Sequence, residues 1–218
     1  MRLPSYDIRR CTRSDVIELI EEFHPYGSAG SAFTYAFAVY EEGRPIAAYC
    51  WMPPPPGAAK SVCPEEPSGV LALSRMVAVP RCQRSLNHVS KPLRRQMRRL
   101  IDRTRWPVLI TYSDESLGHT GHVYKCSGWE KTVRNKAVFF TDSGGRRVSR
   151  YRNGKTRDVT RHDRAVGFIQ RWEHWWVPRG GAADFMASSG WRREATGRVW
   201  ASGSTAFRFT KDEQMTLI

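Results

Sequence analysis

The sequence predicts an α/β fold, a central mixed sheet flanked by helices with a basic C-terminal extension, from three observations. Residues 70–79 (VLALSRMVAV) and 108–112 (VLITY) are apolar runs suited to strands buried on both faces. Between them lies a helical pattern with Leu93, Met97, Leu100 and Ile101 on one stripe and arginines around the rest. Ahead of them, residues 33–40 and 45–52 are two β-compatible runs joined by Glu41-Glu42-Gly43-Arg44, which reads as a hairpin.

The remaining elements follow in order. Tyr6 to Arg9 is a short strand, and Thr12-Arg13-Ser14-Asp15 resembles a capping box for a helix carrying Val16, Ile17, Ile20 and Phe23 on one face. Pro25 ends that helix by disfavouring helical dihedrals at His24. Residues 53–69 open with four prolines and are expected as a stiff surface loop. Ser90 is expected to cap the arginine-rich helix, with Pro92 in its first turn. Residues 118–127 read as a short helix closed by Gly128-Trp129, and residues 137–141 as a strand. Beyond lie a basic stretch, then Trp172, Trp175 and Trp176, then a β-like end at 199–209. This divides the chain into a catalytic core, 1–145, and a basic, Trp-rich extension, 146–218, packed on it. Ser127-Gly128-Trp129 and Ser189-Gly190-Trp191 echo each other, either by chance or as two similar helix-to-strand turns.

The chain of 218 residues has a formal charge of +14. A like-signed field of that size opposes compaction and is best explained by a polyanionic partner, here nucleic acid, although a solubility surface is the plainer alternative. The excess is concentrated: residues 84–105 hold 8 basic and 1 acidic groups, residues 146–179 hold 10 and 3, and the other segments are near balance. Five scattered cysteines (Cys11, Cys50, Cys63, Cys82, Cys126) form no CxxC pair. They fit a reducing compartment, and a cytoplasmic location in a bacterial host is expected. No run reaches the roughly 20 apolar residues of a membrane span, and the N-terminus has no apolar core of signal-peptide length.

The order strand, helix, hairpin, long strand, helix, strand, helix, strand is similar to the GNAT acyltransferase fold. Several pieces within it resemble the phage Mom family of DNA-adenine modification proteins, itself GNAT-like. They are Tyr40, Trp51, Leu73-Ser74-Arg75, residues 87–90, Tyr112-Ser113-Asp114, Gly118-His119-Thr120-Gly121, Tyr124 and Gly128-Trp129. The resemblance spans roughly residues 20–145. It implies an N6-substituted adenine, carrying a carbamoylmethyl-type group derived from glycine, that protects phage DNA from host restriction. It also implies that Arg75, Ser90, Asp114, Tyr124 and Tyr40 line the active site. One departure stands out. Where ordinary GNAT enzymes place a Gly-rich turn to cradle the donor pyrophosphate, residues 81–90 (RCQRSLNHVS) hold no glycine, so Cβ atoms obstruct close backbone approach. Arg84, Asn87 and Ser90 remain candidates to hold the donor, either acyl-CoA or an activated aminoacyl (glycyl) ester.

The chemistry asks for a group that takes a proton from N6 and a group that polarises or protonates the leaving atom. Asp114, at the end of a buried strand, suits the first role; its plain alternative is a helix cap. Tyr124 suits the second, and otherwise packs. Arg75 is expected to bind a donor carboxylate or phosphate, or to serve as a structural ion-pair partner. Ser90 is otherwise a cap, and Tyr40 a strand residue. His24 with Asp114 is the pair that would hold a metal, with His119 and His122 nearby in sequence, although plain polar roles are the simpler reading. A base inside a duplex must be flipped out to be reached. Arg94, Arg95, Arg98 and Arg99 on one side, and Arg150, Arg152 and Lys155 on the other, are expected to clamp the phosphates of double-stranded DNA, from two segments at 84–105 and 146–171. Trp51 or Trp172 would stack on the base, unless they are core. The carboxylate and phenol are expected to converge on one exposed adenine. Two other functions fit the same residues: a GNAT-fold N-acyltransferase acting on tRNA, protein or a small amine, and a non-catalytic DNA-binding module. The oligomeric state is left open, a homodimer included.

Overall fold

The structure, a computed structural model, describes residues 7–25, 33–83, 86–145, 147–148, 151–152, 155–156, 158–199 and 205–211. The chain runs β1 (Asp7–Arg10), α1 (Ile17–Phe23), β2 (Tyr35–Glu41), β3 (Arg44–Met52), α2 (Pro56–Val62), β4 (Val70–Ala78) and α3 (Lys91–Arg99). It continues β5 (Val108–Asp114), α4 (His122–Cys126), β6 (Glu130–Thr141), β7 (Arg147–Val148), β8 (Tyr151–Arg152), β9 (Lys155–Thr156), β10 (Thr160–Trp175), α5 (Ala182–Ser188), β11 (Trp191–Val199) and β12 (Thr205–Lys211).

Eight strands form one sheet in the order β1-β2-β3-β4-β5-β10-β6-β7. Neighbours are antiparallel except β4 and β5, which run parallel. The β2–β3 turn takes left-handed dihedrals at Glu42 (φ 50°) and Gly43 (φ 79°), the twist a tight hairpin needs. Strand alternation sends Leu71, Leu73 and Leu109 to one face, where they meet Leu93 and Met97 of α3 and Tyr124 of α4. Val16, Leu19 and Ile20 cover the opposite face over β2 and β3. Ala59 and Val62 of α2 continue that layer over β4 and β5.

Several expectations change. Residues 53–69 are not a bare loop: α2 starts where Pro56 already supplies helical φ, and a 3-10 turn covers Pro67–Gly69. Ser90 does not cap α3 through its side chain. The helix is extended upstream by a π-wound turn, Leu86–Ser90, so Ser90 is itself helical (φ −73°, ψ −42°). Such a turn leaves carbonyls out of register. The Tyr49 hydroxyl donates to those of Val89 (2.9 Å) and His88 (3.1 Å), and the Ser127 hydroxyl donates to that of Ser90 (3.2 Å). Leu100, expected in the core stripe, is exposed because the helix ends at Arg99. The anticipated boundary at 145 does not follow the sheet, because β10 lies between β5 and β6, inside the main sheet. What lies outside that sheet beyond β10 is α5 and the separate β11–β12 ribbon. The Ser-Gly-Trp echo is two similar turns: Gly128 (φ 85°) and Gly190 (φ 78°) each pass a helix into a strand.

β10 brings a buried charge into the sheet. Glu173 is 1% exposed and accepts hydrogen bonds from Thr132 (2.9 Å), Trp175 (2.8 Å) and Arg179 (2.7 Å), with Arg171 at 2.9 Å. Burial would raise its carboxyl, but these bonds and the Arg171 charge hold it below its ordinary value. The five cysteines are free thiols; burial pushes Cys11 up to about 11, and Cys50 and Cys63 to about 12, whereas Cys126 is exposed. Among the described residues, no helix is long and apolar enough to cross a membrane.

Truncating Glu173→Ala leaves two arginines around an emptied buried position, and urea denaturation is expected to show a loss of roughly 3–5 kcal/mol at neutral pH. The carboxyl is held low in the fold, so its stabilisation is present above the ordinary value near 4.5 and fades as pH falls below it. The gap between wild type and Glu173→Ala should therefore narrow in acid.

Candidate active site

β4 and β5 pair over Val70–Val108, Leu71–Leu109 and Ala72–Ile110, although they run on to Ala78 and Asp114. They part beyond Ala72, and β4 bends there because it carries one extra residue. Its register against β3 shifts between Trp51–Leu73 and Cys50–Arg75, leaving Ser74 as the bulge. The Ser74 hydroxyl donates to the Cys50 carbonyl (2.9 Å), and Arg75 Nη1 donates to the Ser74 carbonyl (2.7 Å). The Leu73 carbonyl, just past the last paired residue, accepts from the Thr111 hydroxyl at 3.0 Å. The strands thus open into a slot whose first polar group is satisfied from across the gap.

The bulge also decides which side chains share a face. Leu73 pairs with Trp51 in the layer under α3 and α4, whereas Arg75 pairs with Cys50, which packs under α1. On β5, alternation places Thr111 and Ser113 with Leu109 on the α3–α4 face, and Asp114 with Val108 and Ile110 on the other. The bond from Trp172 Nε1 to Ser113 Oγ (2.9 Å) fits this, since Trp172 belongs to the α3–α4 layer. Asp114 and Tyr124 therefore lie on opposite faces, and the expectation that both approach a base from one side is corrected. The reason is strand parity. Thr111, bonded to Tyr124, precedes Asp114 by three residues, roughly 10 Å of strand.

On the α3–α4 face, Tyr124 is buried and its phenol shares a hydrogen bond with Thr111; burial pushes it above its ordinary value, so it stays protonated. Its ring lies 6.0 Å from Trp129 and 5.8 Å from Trp172. Gly121 begins α4 at φ 70°, and a Cβ there would come within 2.2 Å of the Trp172 ring, so glycine is needed at this turn. Ser90 is buried nearby, its carbonyl bonded by Ser127 of α4.

On the α1 face, Asp114 is 5% exposed, and its Oδ1 accepts from the Ser116 amide (3.0 Å) and hydroxyl. It thus caps the 3-10 turn Glu115–Leu117, the plainer role the sequence allowed. Its backbone carbonyl accepts from His119 N at 3.3 Å. His24, at the end of α1, is pushed down to about 4 by burial and by the positive charge of Arg75, with His119 adding to the effect. Arg75 and His119 are thus near enough to His24 to act on its charge, and His119 follows Asp114 through the backbone bond. Tyr40 does not join Tyr124. It sits two strands from β4 in the α1 layer, with the Arg9 guanidinium 5.2 Å over its ring.

Among the described residues, no group of three or more His, Cys, Asp or Glu side chains is placed to hold a metal. His122 is instead 3.2 Å from Cys126 Sγ, one helical turn on. The donor-holding residues fall at the start of α3. Asn87 is half-buried in the π-wound turn, and Arg84 lies outside the described residues. Residues 81–90 hold no glycine, and the His88 and Val89 carbonyls of the π-wound turn accept from the Tyr49 hydroxyl.

Arg94, Arg95, Arg98 and Arg99 are exposed along α3. Arg105 is not available to a phosphate clamp: it is 7% exposed, donates to the Ser68 carbonyl (2.7 Å) and lies 4.0 Å over Trp106. Arg171, bound to Glu173 and to Ser61 (2.9 Å), is likewise structural. Arg152 and Lys155 lie on the paired strands β8 and β9, and Arg150 falls outside the described residues. Trp51 and Trp172, proposed to stack on a base, are 0% and 2% exposed and belong to the core. Sequence reasoning missed Ser74 and Thr111. The serine carried a signal in its place inside an apolar run, while the threonine's bond across the gap had none.

The profile of the Mom protein family matches residues 5–171. Among solved structures, an N-acetyltransferase from Staphylococcus aureus is similar at TM-score 0.50 and 10% identity, over 79% of this chain and 99% of that one. An IAA acetyltransferase from Bacillus cereus (TM-score 0.49, 13% identity, 78% and 99% covered) is also similar. So is a GNAT family acetyltransferase from Elizabethkingia anophelis with acetyl-CoA bound (TM-score 0.49, 9% identity, 79% and 99% covered). No curated protein matches the sequence. At 10% identity the likeness at TM-score 0.50 speaks for the fold alone. With its profile covering most of the chain, the family is settled: this protein belongs to the Mom protein family and has a GNAT-like fold.

Proposed function

We propose that the protein is a DNA-modifying transferase that forms a carbon–nitrogen bond at the N6 amine of adenine in duplex DNA, by acylation or carbamoylmethylation, in phage DNA that it protects from host restriction. One observation carries the reading: the slot between β4 and β5 has a protonated phenol on one face and a carboxylate with an arginine on the other. The donor enters from the α3–α4 face and the extruded base from the α1 face, and they meet where the strands part. In the acylation N6 bonds to the ester carbonyl carbon and Asp114 takes the N6 proton; carbamoylmethylation would form the bond at the α-carbon and needs a donor that carries its leaving group there. As the carbon–oxygen bond of an activated ester donor breaks, Tyr124 supplies the proton the leaving oxygen needs. Arg75, aimed by the bulge, neutralises charge developing on the donor carbonyl. With no glycine at 81–90 to let backbone approach a pyrophosphate closely, an aminoacyl-type ester is the donor we favour over acyl-CoA. Ser90 lies at the donor side and Tyr40 contributes packing.

Duplex DNA as the acceptor is supported by where cations stand. The α3 arginines form one exposed ridge. β10 pairs with β5 through Ile169–Asp114 and continues, paired with β6, back to Thr160, past the end of β5. That two-stranded arm leads from the slot into the basic residues 146–157.

DNA from cells expressing the protein, digested to nucleosides, is expected to yield a modified deoxyadenosine by mass spectrometry. Asp114→Asn keeps an acceptor for the Ser116 amide and should abolish the product with little loss of melting temperature. Tyr124→Phe should slow its formation by roughly 10²–10⁴-fold. Unmodified adenine from wild type would defeat the reading. Converting Arg94, Arg95, Arg98 and Arg99 together to Ala is expected to lower the slope of log affinity for duplex DNA against log salt by roughly 3–4; an unchanged slope removes this ridge from the interface. His24 stays neutral in the fold down to about 4, while the unfolded chain takes up a proton near 6.5. Wild-type stability should therefore fall as pH drops from 6.5 to about 4, and His24→Gln should flatten part of that fall in pH-dependent denaturation.

A further inference from the structure

The β11–β12 ribbon stands apart from the main sheet and beyond the residues the family profile matches. A lone two-stranded ribbon is marginal by itself, so its docking determines what it can present. Trp191 Nε1 donates to Thr104 Oγ1 (3.2 Å), and the Arg105 guanidinium lies 3.7 Å from the Phe209 ring on one side and 4.0 Å from Trp106 on the other. The ribbon is therefore fixed beside residues 104–106, just ahead of β5. That is the end of β5 remote from Asp114, roughly 20 Å along the strand.

The register sorts the remaining side chains. Arg192 pairs with Thr210 and Glu194 with Arg208 on one face, and Ala195 pairs with Phe207 on the other. Glu194 and Arg208 form an ion pair at 2.9 Å. Arg192, Arg193, Arg208 and Lys211 are all exposed. Arg192 and Arg208 share a face with Glu194, the one anion among the described side chains of the ribbon. Arg193 and Lys211 lie on the other, with Arg193 at 4.0 Å from Glu66. Phe207 is 45% exposed, with the Arg193 guanidinium 4.5 Å over its ring. A single aromatic ring beneath a cation is too little apolar surface for a protein or lipid partner to bury. Its setting suits a polyanion.

We propose that the β11–β12 ribbon is a second duplex-DNA contact that lies in a groove away from the catalytic slot; this rests on the reading of DNA as acceptor. A two-stranded ribbon fits the major groove of B-DNA, about 12 Å wide. Arg192 and Arg208, on the face opposite Trp191 and Phe209, neutralise backbone phosphates. The spacing between ribbon and slot lies within one helical turn, roughly 34 Å, so a single duplex engages both.

The test uses the full-length protein, a fluorescently labelled duplex and a labelled RNA hairpin, titrated at several salt concentrations. Replacing Arg192 and Arg208 together with Ala is expected to weaken duplex binding about tenfold at fixed salt and to lower the salt slope by roughly 2, with an unchanged circular dichroism spectrum. Should that variant unfold, Arg192→Gln and Arg208→Gln singly give the same readout, each at about half the slope change. Glu194→Ala, which removes the opposing charge, should tighten the duplex. Unchanged affinity and slope in the cation variants, or a loss confined to the RNA hairpin, overturns the assignment. Nucleoside mass spectra recorded in parallel separate the two claims. Product from wild type with unaltered duplex binding by the variants sinks the ribbon alone. Absence of product sinks the catalytic reading, and the titration still decides the ribbon.

Discussion

The parting of β4 from β5 is the constraint on which the rest of the molecule depends. Two parallel strands that continue without pairing expose backbone donors and acceptors, which is costly inside a protein. This chain meets the cost locally. Ser74 is spent in a bulge, its hydroxyl returns to the neighbouring strand, and Thr111 reaches over to Leu73. Because the bulge shifts side-chain parity, it turns Arg75 away from the layer that holds Leu73. The π-wound turn ahead of α3 is handled in the same way, by Tyr49 and Ser127 bonding its carbonyls. At both places side-chain hydroxyls satisfy the irregular backbone.

The positive charge, concentrated along the sequence in residues 84–105 and 146–179, divides into two populations in the fold. Arg105 and Arg171 are taken into packing, one between aromatic rings and the other beside Glu173, where low local polarity makes each interaction strong. The arginines of α3 and of the outer ribbon remain at the surface, where pairing contributes little to stability. Their density is thus poorly explained by folding and better explained by what they meet.

Much of the frame could be read from residue order. The hairpin at Glu42-Gly43, the two apolar strands and the helix between them have strong local signals, and so does the paired Ser-Gly-Trp turn. β10 could not be read, for a physical reason. Its outer half pairs only with β6, and its inner half alternates Trp172 with a charged Glu173 that is buried only because partners arrive from β6 and the turn after β10. α2 was hidden by prolines that usually mark loops but here begin a helix. At the site, residue types pointed to Asp114, Tyr124 and Arg75, but the side each one faces depended on a one-residue bulge that composition does not reveal. Tyr40 was drawn in by family likeness, and its place in the sheet removes it from the slot.

The thiols show how unevenly this fold distributes reactivity. Cys50, Cys63 and Cys82 are sealed in the interior, and Cys11 is half-covered with its ionisation suppressed. Cys126 is exposed on α4, two residues past the phenol at the slot. An alkylating fluorophore added at neutral pH therefore has one preferred attachment point on the folded chain, and it reports from the helix that carries Tyr124.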